Sequence, residues 1–525
     1  MGLFLKVLPF VALAFANAPP SSGEGEGSDP STSKREGIDT SNEPLSNRTE
    51  HVEKPPIITH HELRIGKRKL EYSVTTGFMP LATETGDVEA RLFFTAYTLD
   101  GSDGNRDRPL MFSFNGGPGS SSVWLHLGGL GPRRVRMLDD GAMPAPPFQL
   151  INNEQTWLEQ TDLVFVDPVD TGYSRAATEE LAKKFRGVEE DLTSVGAFIR
   201  LYLTRYGRWA SPLFLVGESY GTFRAAGLAG RLIEQGVAFN GIVLVSSILN
   251  MQTARFDPGN DLPYILFLPT YTATAWYHRR LASSLQKRDL RTVLAEVEGW
   301  AAGEYALALA QGAALSEKER AAVVNQIAHY TGLSPRYVEQ SDLRIHISRF
   351  CKELLRDEGR TVGRLDSRYT GFDASGVSER TDFDPSMTAI RPPFTAMLND
   401  YVRRDLGFET DAEYHILRGV DWDWGSAGEG YPKTSEALSD AFAKNPYLHL
   451  LVACGFYDLA TPYFATNYTL NHLALEPSLR VNIRTEHYPV GHMVYLERQT
   501  LMKLQRDVTS FIQDATSAED RPLRR

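Results

Sequence analysis

The 525-residue chain has little cysteine: only Cys351 and Cys454, with no CxxC pair. A disulfide scaffold needs more cysteines, and structural zinc sites use cysteine pairs at short spacing, so neither class fits. The HExxH, GxxxxGK[ST] and GxGxxG motifs are also absent, which excludes the simple signatures of zincins, P-loop NTPases and dinucleotide binders. The two cysteines are predicted to be separate buried thiols rather than a bridge.

Positive charge is in deficit, because 55 Lys and Arg residues face 66 Asp and Glu residues, for a net charge of −11. Nucleic-acid binding requires basic side chains that displace phosphate counterions, so we expect no nucleic-acid partner. Beyond the first 18 residues, no apolar run approaches the ~20 residues that span a bilayer. The mature chain is therefore predicted to have no membrane span.

Residues 1–18 have the pattern of a secretory signal peptide. One lysine precedes the short apolar run 7–15, and small residues follow it. Cleavage after Ala16 and cleavage after Ala18 both remain open, although Pro19 disfavours the second. We therefore expect a secreted protein, extracellular or, in a Gram-negative bacterium, periplasmic.

Two segments lack the apolar side chains that a folded core needs. Residues 19–54 are dominated by Ser, Gly, Pro, Glu and Asp and are predicted to be a disordered linker. Residues 516–525 are predicted to be a frayed tail. Asn47 and Asn467 begin sequons for N-glycosylation, which matter only if the host glycosylates secreted proteins.

The remaining chain has three regions. Over residues 55–255, short apolar strand patterns alternate with helices at 188–206 and 222–235, which predicts an α/β sheet covered on both faces. Residues 256–425 have helical periodicity and are predicted to be a cap. From 426 to 515 the α/β pattern returns, with strands at 449–455 and 480–485 and a closing helix.

The sequence Gly217-Glu218-Ser219-Tyr220-Gly221 follows an apolar run and precedes a helix. A nucleophile elbow has this context: a sharp strand-to-helix turn exposes the serine hydroxyl, and glycines allow the backbone to approach closely. Ser219 is therefore the candidate nucleophile.

A glycine-rich loop, Asn115-Gly116-Gly117-Pro118-Gly119 and the three serines after it, follows a predicted strand. A simple tight turn would account for this composition. The functional interpretation is an oxyanion hole, in which the N–H groups of Gly117 and Tyr220 bind a developing negative charge.

Asp458 and His492 complete a candidate triad. Asp458 follows a predicted late strand, and His492 lies in a loop before the last helix. Together with Ser219 they have the chain order of α/β-hydrolases, in which the histidine is the base and the aspartate orients it. Other residues compete less well for these roles because of their positions: His487 for the base, and Asp170 and Asp373 for the acid.

These motifs resemble the serine carboxypeptidase family, peptidase family S10. NGGPGSSS, VDPVDTGYS, GESYG, FYDLATP and GHM occur in the family's order. The resemblance implies an α/β-hydrolase fold with a helical insertion, peptide substrates and a triad of Ser219, Asp458 and His492. It also implies that Asn115 and Glu218 bind the substrate's terminal carboxylate. A glutamate can donate a hydrogen bond to a carboxylate only when it is protonated, which implies a preference for acidic pH.

The chain departs from the family pattern in several places. Ser120 replaces a usual cysteine, Ser113 a tryptophan, and Gly129 the second glutamate of the family's carboxylate-binding pair. Asp170 replaces a glycine, and aspartate tolerates left-handed backbone. These variants resemble bacterial-type members of the family, and they weaken the expectation of strict exopeptidase activity.

The predicted reaction is acyl transfer through a serine ester, which requires neither metal nor cofactor. An esterase or acyltransferase with the same triad is the main alternative, because an alcohol can replace water in the second step. A non-catalytic binding protein is a further alternative, disfavoured because all three triad residues are present.

Overall fold

Ten strands form one mixed sheet at the centre of the protein. The structure is a computed structural model that describes residues 54–101, 107–425 and 430–517. The predicted signal peptide, all of the predicted linker except residue 54, and the tail from residue 518 lie outside these ranges and remain predictions. Within them, no helix combines the length and apolarity needed to cross a membrane.

The strands and helices of the described residues have the following bounds. The strands are β1 (Ile57–Ile65), β2 (Arg68–Ala82), β3 (Val88–Leu99), β4 (Leu110–Phe114), β5 (Arg133–Val135), β6 (Leu150–Asn152), β7 (Asp162–Val166), β8 (Arg175–Ala176), β9 (Leu213–Ser219), β10 (Gly241–Ser247), β11 (Thr361–Val362), β12 (Thr370–Gly371), β13 (His449–Gly455) and β14 (Ile483–Tyr488). The helices are α1 (Val123–Leu125), α2 (Glu179–Lys184), α3 (Val188–Arg205), α4 (Tyr220–Glu234), α5 (Leu262–Tyr277), α6 (Ser283–Gln286), α7 (Leu290–Trp300), α8 (Ala306–Gln311), α9 (Glu317–Thr331), α10 (Pro335–Gln340), α11 (Ile347–Glu353), α12 (Pro385–Arg404), α13 (Ser435–Lys444), α14 (Tyr463–Asn471) and α15 (Arg498–Thr516).

The order of the main sheet is β1-β2-β3-β7-β4-β9-β10-β13-β14, and β8 pairs with β3. Strands β1 to β3 form an antiparallel meander, and β3 pairs antiparallel with β7. From β7 to β14 all neighbours are parallel. Their carboxyl ends therefore meet at one edge, where ligands of open α/β sheets bind.

Apolar clusters cover both faces of the sheet. Phe165 and Val216 point into the cluster that includes α12 and α15, whereas their neighbours Val164 and Leu215 point into the cluster with α3, α4 and α13. Alternate residues of one buried strand thus face opposite sides of the sheet, which explains why β7 and β10 are buried along their whole length and mostly apolar. The predicted α/β class is confirmed.

A helical insertion separates β10 from β13. Helices α5 to α11 bury a third apolar cluster, which also contains Tyr220 and Phe223 of α4. Helix α12 falls within the predicted cap, yet it contributes Phe394 and Leu398 to the cluster on the sheet. The insertion is therefore attached to the sheet domain at more than one point, and the residue boundaries of the cap remain a prediction.

Cys351 and Cys454 are both buried and unbridged, as predicted. One lies in α11 of the insertion and the other in β13 of the sheet. The sequon residue Asn467 lies within α14, and Asn47 lies outside the described residues.

Candidate active site

Ser219 occupies a sharp turn between β9 and α4. Its backbone has φ 60° and ψ −129°, which is strained for a residue with a side chain. A Cβ atom on Gly217 would lie 2.0 Å from the Gly221 carbonyl oxygen, so no larger residue fits there. The turn leaves Ser219 partly exposed at the start of a helix, where unpaired N–H groups favour negative charge. The geometry is that of a nucleophile elbow.

His492 and Asp458 form a buried pair. His492 Nδ1 lies 2.7 Å from Asp458 Oδ2. The other carboxylate oxygen accepts hydrogen bonds from the N–H groups of Ala460, at 2.8 Å, and Thr461, at 3.0 Å. Burial alone would lower the pKa of His492, but Asp458 and then Glu218 raise it above its ordinary value. Because Nδ1 is held by the carboxylate, Nε2 is the nitrogen available to accept a proton.

Strand β10 joins the nucleophile to this pair. Ser247 is in register with Ser219, and the hydroxyl of its neighbour Ser246 donates a 2.5 Å hydrogen bond to the His492 carbonyl. Among the described residues, Ser219 Oγ forms no hydrogen bond with the imidazole, and such contacts often tighten only when substrate binds. The three predicted triad residues therefore lie at one site, and their catalytic roles remain a prediction.

The glycine-rich loop lies against the start of α4. A Cβ atom on Gly116 would be 2.3 Å from the Tyr220 nitrogen and 2.7 Å from the Gly221 nitrogen. Gly117 has φ +102°, which favours glycine. The backbone of Gly116, the residue before Gly117, therefore lies within van der Waals distance of the Tyr220 N–H. This placement is compatible with the predicted oxyanion hole.

A buried ion pair between α3 and α4 also forms a hydrogen bond with this loop. Arg224, on α4, is 1% exposed and donates to Asp191 on α3 at 2.8 Å. The same guanidinium donates to the Asn115 carbonyl at 2.8 Å. Arg224 therefore ties the nucleophile helix to the first residue of the loop. Sequence analysis missed this residue because its partners are distant in the chain.

Glu218 and Asn115 are buried next to Ser219. Burial raises the pKa of Glu218 to about 7, against the lowering effects of His492 and Tyr495. Within the described residues, the buried Asn115 Nδ2 has no partner at hydrogen-bond geometry, although it lies close enough to Glu218 to lower the pKa of that carboxyl group. An unpaired buried donor is costly unless a ligand satisfies it. The site therefore offers one free amide donor and one carboxyl group that is neutral at mildly acidic pH.

Asp170, Asp373 and His487, which compete for the roles of catalytic acid and base, contact residues other than the triad. The His487 ring stacks on Phe456 with centroids 5.5 Å apart. Asp373 pairs with Lys352 in the insertion. Asp170 pairs with arginines and has φ 71°, which confirms the left-handed backbone predicted at that position.

Residues 364–368 of the insertion, here called the brace, contact two loops: residues 456–462, which include Asp458 and are here called the acid loop, and residues 489–497, which include His492 and are here called the base loop. The Leu459 N–H donates to the Arg364 carbonyl at 3.0 Å, and the His492 N–H donates to the Leu365 carbonyl at 2.7 Å. A Cβ atom on Gly491 would lie 2.4 Å from Asp366 Cβ, so glycine is required before the histidine. Sequence analysis missed the brace, because nothing in its local pattern marks it.

Arg368 connects the brace to the base loop through ion pairs and hydrogen bonds. It pairs with Asp366 at 2.8 Å and with Glu497 at 2.7 Å. It also donates to the Pro489 carbonyl at 3.2 Å, while Asp366 accepts from the Gly491 N–H at 3.0 Å. The position of the His492 loop thus depends on a partly buried charge network.

This fold and this constellation define an α/β-hydrolase of the serine type. The family model for serine carboxypeptidase matches residues 66–493, and the chain belongs to that family, as the sequence motifs predicted. The described part of the chain contains no cluster of three metal-ligating side chains.

Individual relatives match over shorter stretches. The pheromone-processing carboxypeptidase KEX1 of Saccharomyces cerevisiae is 34% identical over 155 residues, which is 27% of this chain and 20% of that protein. Serine carboxypeptidase-like 5 of Arabidopsis thaliana is 26% identical over 154 residues, 29% of this chain and 33% of that protein. The matched stretch thus spans about a fifth and a third of these relatives.

Among solved structures, the prohormone-processing carboxypeptidase Kex1Δp of Saccharomyces cerevisiae superimposes with a TM-score of 0.52 at 18% identity. The superposition covers 84% of this chain and 91% of that one. At this identity the match demonstrates a shared fold, and the predicted α/β-hydrolase architecture is confirmed.

Proposed function

We propose that this protein is a serine carboxypeptidase that releases the C-terminal amino acid of a peptide. The observation that carries the proposal is the pair formed by Glu218 and Asn115 beside Ser219. One is a buried carboxyl group with a pKa of about 7, and the other presents an unpaired buried amide donor. Two hydrogen-bond donors next to a nucleophile suit a substrate that ends in a carboxylate close to the scissile bond.

The proposed chemistry assigns one role to each residue of the predicted triad. Ser219 Oγ attacks the carbonyl carbon of the last peptide bond while His492 Nε2 takes the hydroxyl proton. The N–H groups of Gly117 and Tyr220 bind the oxyanion. When the C–N bond breaks, His492 gives its proton to the leaving amine. Water, deprotonated by His492, then attacks the ester carbonyl carbon; the bond from this carbon to Ser219 Oγ breaks, His492 returns the proton to Ser219 Oγ, and the shortened peptide is released.

Substrate recognition should depend on pH through Glu218. Its neutral form donates a hydrogen bond to the terminal carboxylate, whereas its ionised form repels that carboxylate. Because burial raises the pKa of Glu218 to about 7, affinity for free-acid substrates should be full below pH 7 and decline above it. Catalysis also requires neutral His492, whose raised pKa limits activity on the acidic side.

We also propose that the chain is secreted by means of residues 1–18. The support is the sequence pattern alone: a lysine, a short apolar run and small residues. N-terminal sequencing of the exported protein would identify the cleavage site, and a mature chain that still begins at Met1 would contradict the proposal.

One experiment tests the activity directly. A blocked dipeptide with a free C-terminal carboxylate is compared with its C-terminal amide from acidic to neutral pH, for the wild type and for Ser219→Ala. We expect hydrolysis of the acid that falls as pH rises through about 7, hydrolysis of the amide without that fall, and no turnover by folded Ser219→Ala. Residual turnover by that variant would refute the role of Ser219.

An esterase or acyltransferase is the second candidate. It is favoured by Gly129, which stands where the family usually has a second glutamate. If the amide or an ester is cleaved at least as well as the acid at every pH, this second function is the better description.

A further inference from the structure

Tyr495 contacts Glu218 but has no part in the mechanism above. It lies three residues after His492, on the same loop, and is completely buried. Its hydroxyl donates a 2.5 Å hydrogen bond to Glu218 Oε2. One loop therefore supplies both the proposed base and a partner for the carboxyl group next to the nucleophile.

The Tyr495 ring occupies the space above two glycines. A Cβ atom on Gly128 would lie 2.3 Å from Tyr495 Cε2, and one on Gly129 would lie 2.7 Å from Tyr495 Cβ. Glutamate at 129 would therefore collide with this ring. An acidic side chain at 129 and the tyrosine at 495 in its present position therefore exclude each other sterically.

A phenol that donates to one carboxyl oxygen determines where the carboxyl proton resides. Because Oε2 of Glu218 accepts from Tyr495, the proton of neutral Glu218 is favoured on Oε1. An acidic partner would instead share a proton with Glu218 and add a second titrating group. A tyrosine does neither at neutral pH, since burial raises the pKa of Tyr495 well above its ordinary value.

We propose that Tyr495 is a positioning residue that replaces the missing acidic partner and directs the proton of Glu218 toward the terminal carboxylate of the substrate. This inference rests on the proposed carboxypeptidase function. It predicts that Tyr495 determines the preference for free acids over amides and the pH at which that preference is lost.

The direction of the pH effect follows from the groups that face Glu218. Burial raises its pKa, Asp458 raises it further, and His492, Tyr495 and Asn115 lower it. Tyr495→Phe removes one lowering contribution, so the pKa of Glu218 rises. The loss of acid binding should then move to higher pH by about one unit, the size of a charge-assisted hydrogen bond.

The test measures kcat and KM for the dipeptide acid and its amide from pH 5 to 9. For Tyr495→Phe we expect KM for the acid to rise about fivefold at low pH, as for one lost hydrogen bond. Its alkaline midpoint should move upward, while kcat and the amide reaction stay as in the wild type. A purely structural role would reduce both reactions equally and leave the midpoint in place.

Tyr488→Phe is the matched control. Tyr488 is also completely buried, and its hydroxyl donates to Asp507 at 2.6 Å, outside the proposed site. Its removal should leave the acid-to-amide ratio and the midpoint unchanged. In a Glu218→Gln background, Tyr495→Phe should cause no shift of the midpoint, because the titrating group is gone.

Replacing Tyr495 with 3-fluorotyrosine provides a second variant that nearly preserves the ring's fit. Its hydroxyl is a stronger donor, so the midpoint should move to lower pH. An unchanged acid-to-amide ratio and midpoint in Tyr495→Phe would overturn the inference, and so would an unshifted fluorotyrosine enzyme if the phenylalanine variant does not fold. Failure of the wild type to cleave the acid would instead refute the proposed function.

Discussion

Replacement of Arg368 by methionine should reduce catalysis more than substrate binding. Arg368 bridges Asp366 of the brace and Glu497 at the start of α15, and it donates to the Pro489 carbonyl of the base loop. Methionine keeps most of the apolar stem but removes every one of these bonds. The His492 loop then loses a main attachment to the insertion.

The size of the effect can be estimated from burial. Breaking a fully buried ion pair by removing one partner costs about 3 to 5 kcal/mol. The side chains of Arg368 and Asp366 are each 13% exposed, so water partly solvates the orphaned carboxylates. We therefore expect a loss of about 2 kcal/mol in the free energy of unfolding. A shift of about 1 Å in the base reduces catalysis by up to about 100-fold.

The assay combines steady-state kinetics on the dipeptide acid with urea unfolding. For Arg368→Met, kcat should fall between about 10-fold and 100-fold, because the base acts in the chemical steps, whereas KM for the acid should rise by no more than about fivefold, the effect expected if the Tyr495 hydrogen bond to Glu218 is also lost. Arg280→Met is the control. Arg280 also bridges two carboxylates, Asp357 and Glu358, but contacts neither catalytic loop.

Two outcomes would refute this reasoning. A folded Arg368→Met enzyme with the wild-type kcat would show that the brace does not position the base. An equal loss of kcat in Arg280→Met would show that instability of the insertion, rather than the base loop, causes the effect.

Two further predictions concern buried groups. Arg224→Met should lower the free energy of unfolding by about 3 to 5 kcal/mol in urea titrations, because it leaves the Asp191 carboxylate buried and unpaired; a change below about 1 kcal/mol would contradict a charged pair. Cys351 and Cys454 should not react with a thiol reagent in the native protein and should both react after unfolding, because burial raises the pKa of each thiol; rapid labelling of the native protein would contradict their burial.

Local sequence patterns predicted much of the fold, because a buried parallel strand can be recognised from a short run of mostly apolar residues. Short apolar runs within residues 55–255 predicted the buried strands β7, β9 and β10, and the elbow motif predicted the junction of β9 and α4. The strand predicted at 480–485 begins instead at Ile483, because Glu476 caps a 3₁₀ turn over Pro477–Asn482 and displaces the strand. The hydrogen bond between the Glu476 side chain and the Ser478 N–H stabilises the turn where the apolar pattern alone predicts a strand.

The parts of the site that sequence analysis missed are long-range contacts between ordinary residues. Arg368, Arg224 and Tyr495 are not themselves part of any recognised motif, and their importance depends on partners far along the chain. At Gly129 the sequence shows only a glycine where the family usually has a glutamate. The sequence does not show that Tyr495 packs against Gly129, because this contact depends on how the folded chain brings the two residues together.

The base loop contributes to two proposed functions, proton transfer and recognition of the substrate carboxylate, whose residues occur in separate sequence motifs. His492 is the proposed base, and three residues later Tyr495 bonds to the carboxyl group proposed to recognise substrate. The brace holds this loop through the backbone of His492, and the same brace holds the acid loop through Leu459. A displacement of the base loop therefore changes the hydrogen bond to Glu218 as well as the position of the imidazole. Coupling of this kind explains why the insertion contributes to the site even though none of the proposed triad residues belongs to it.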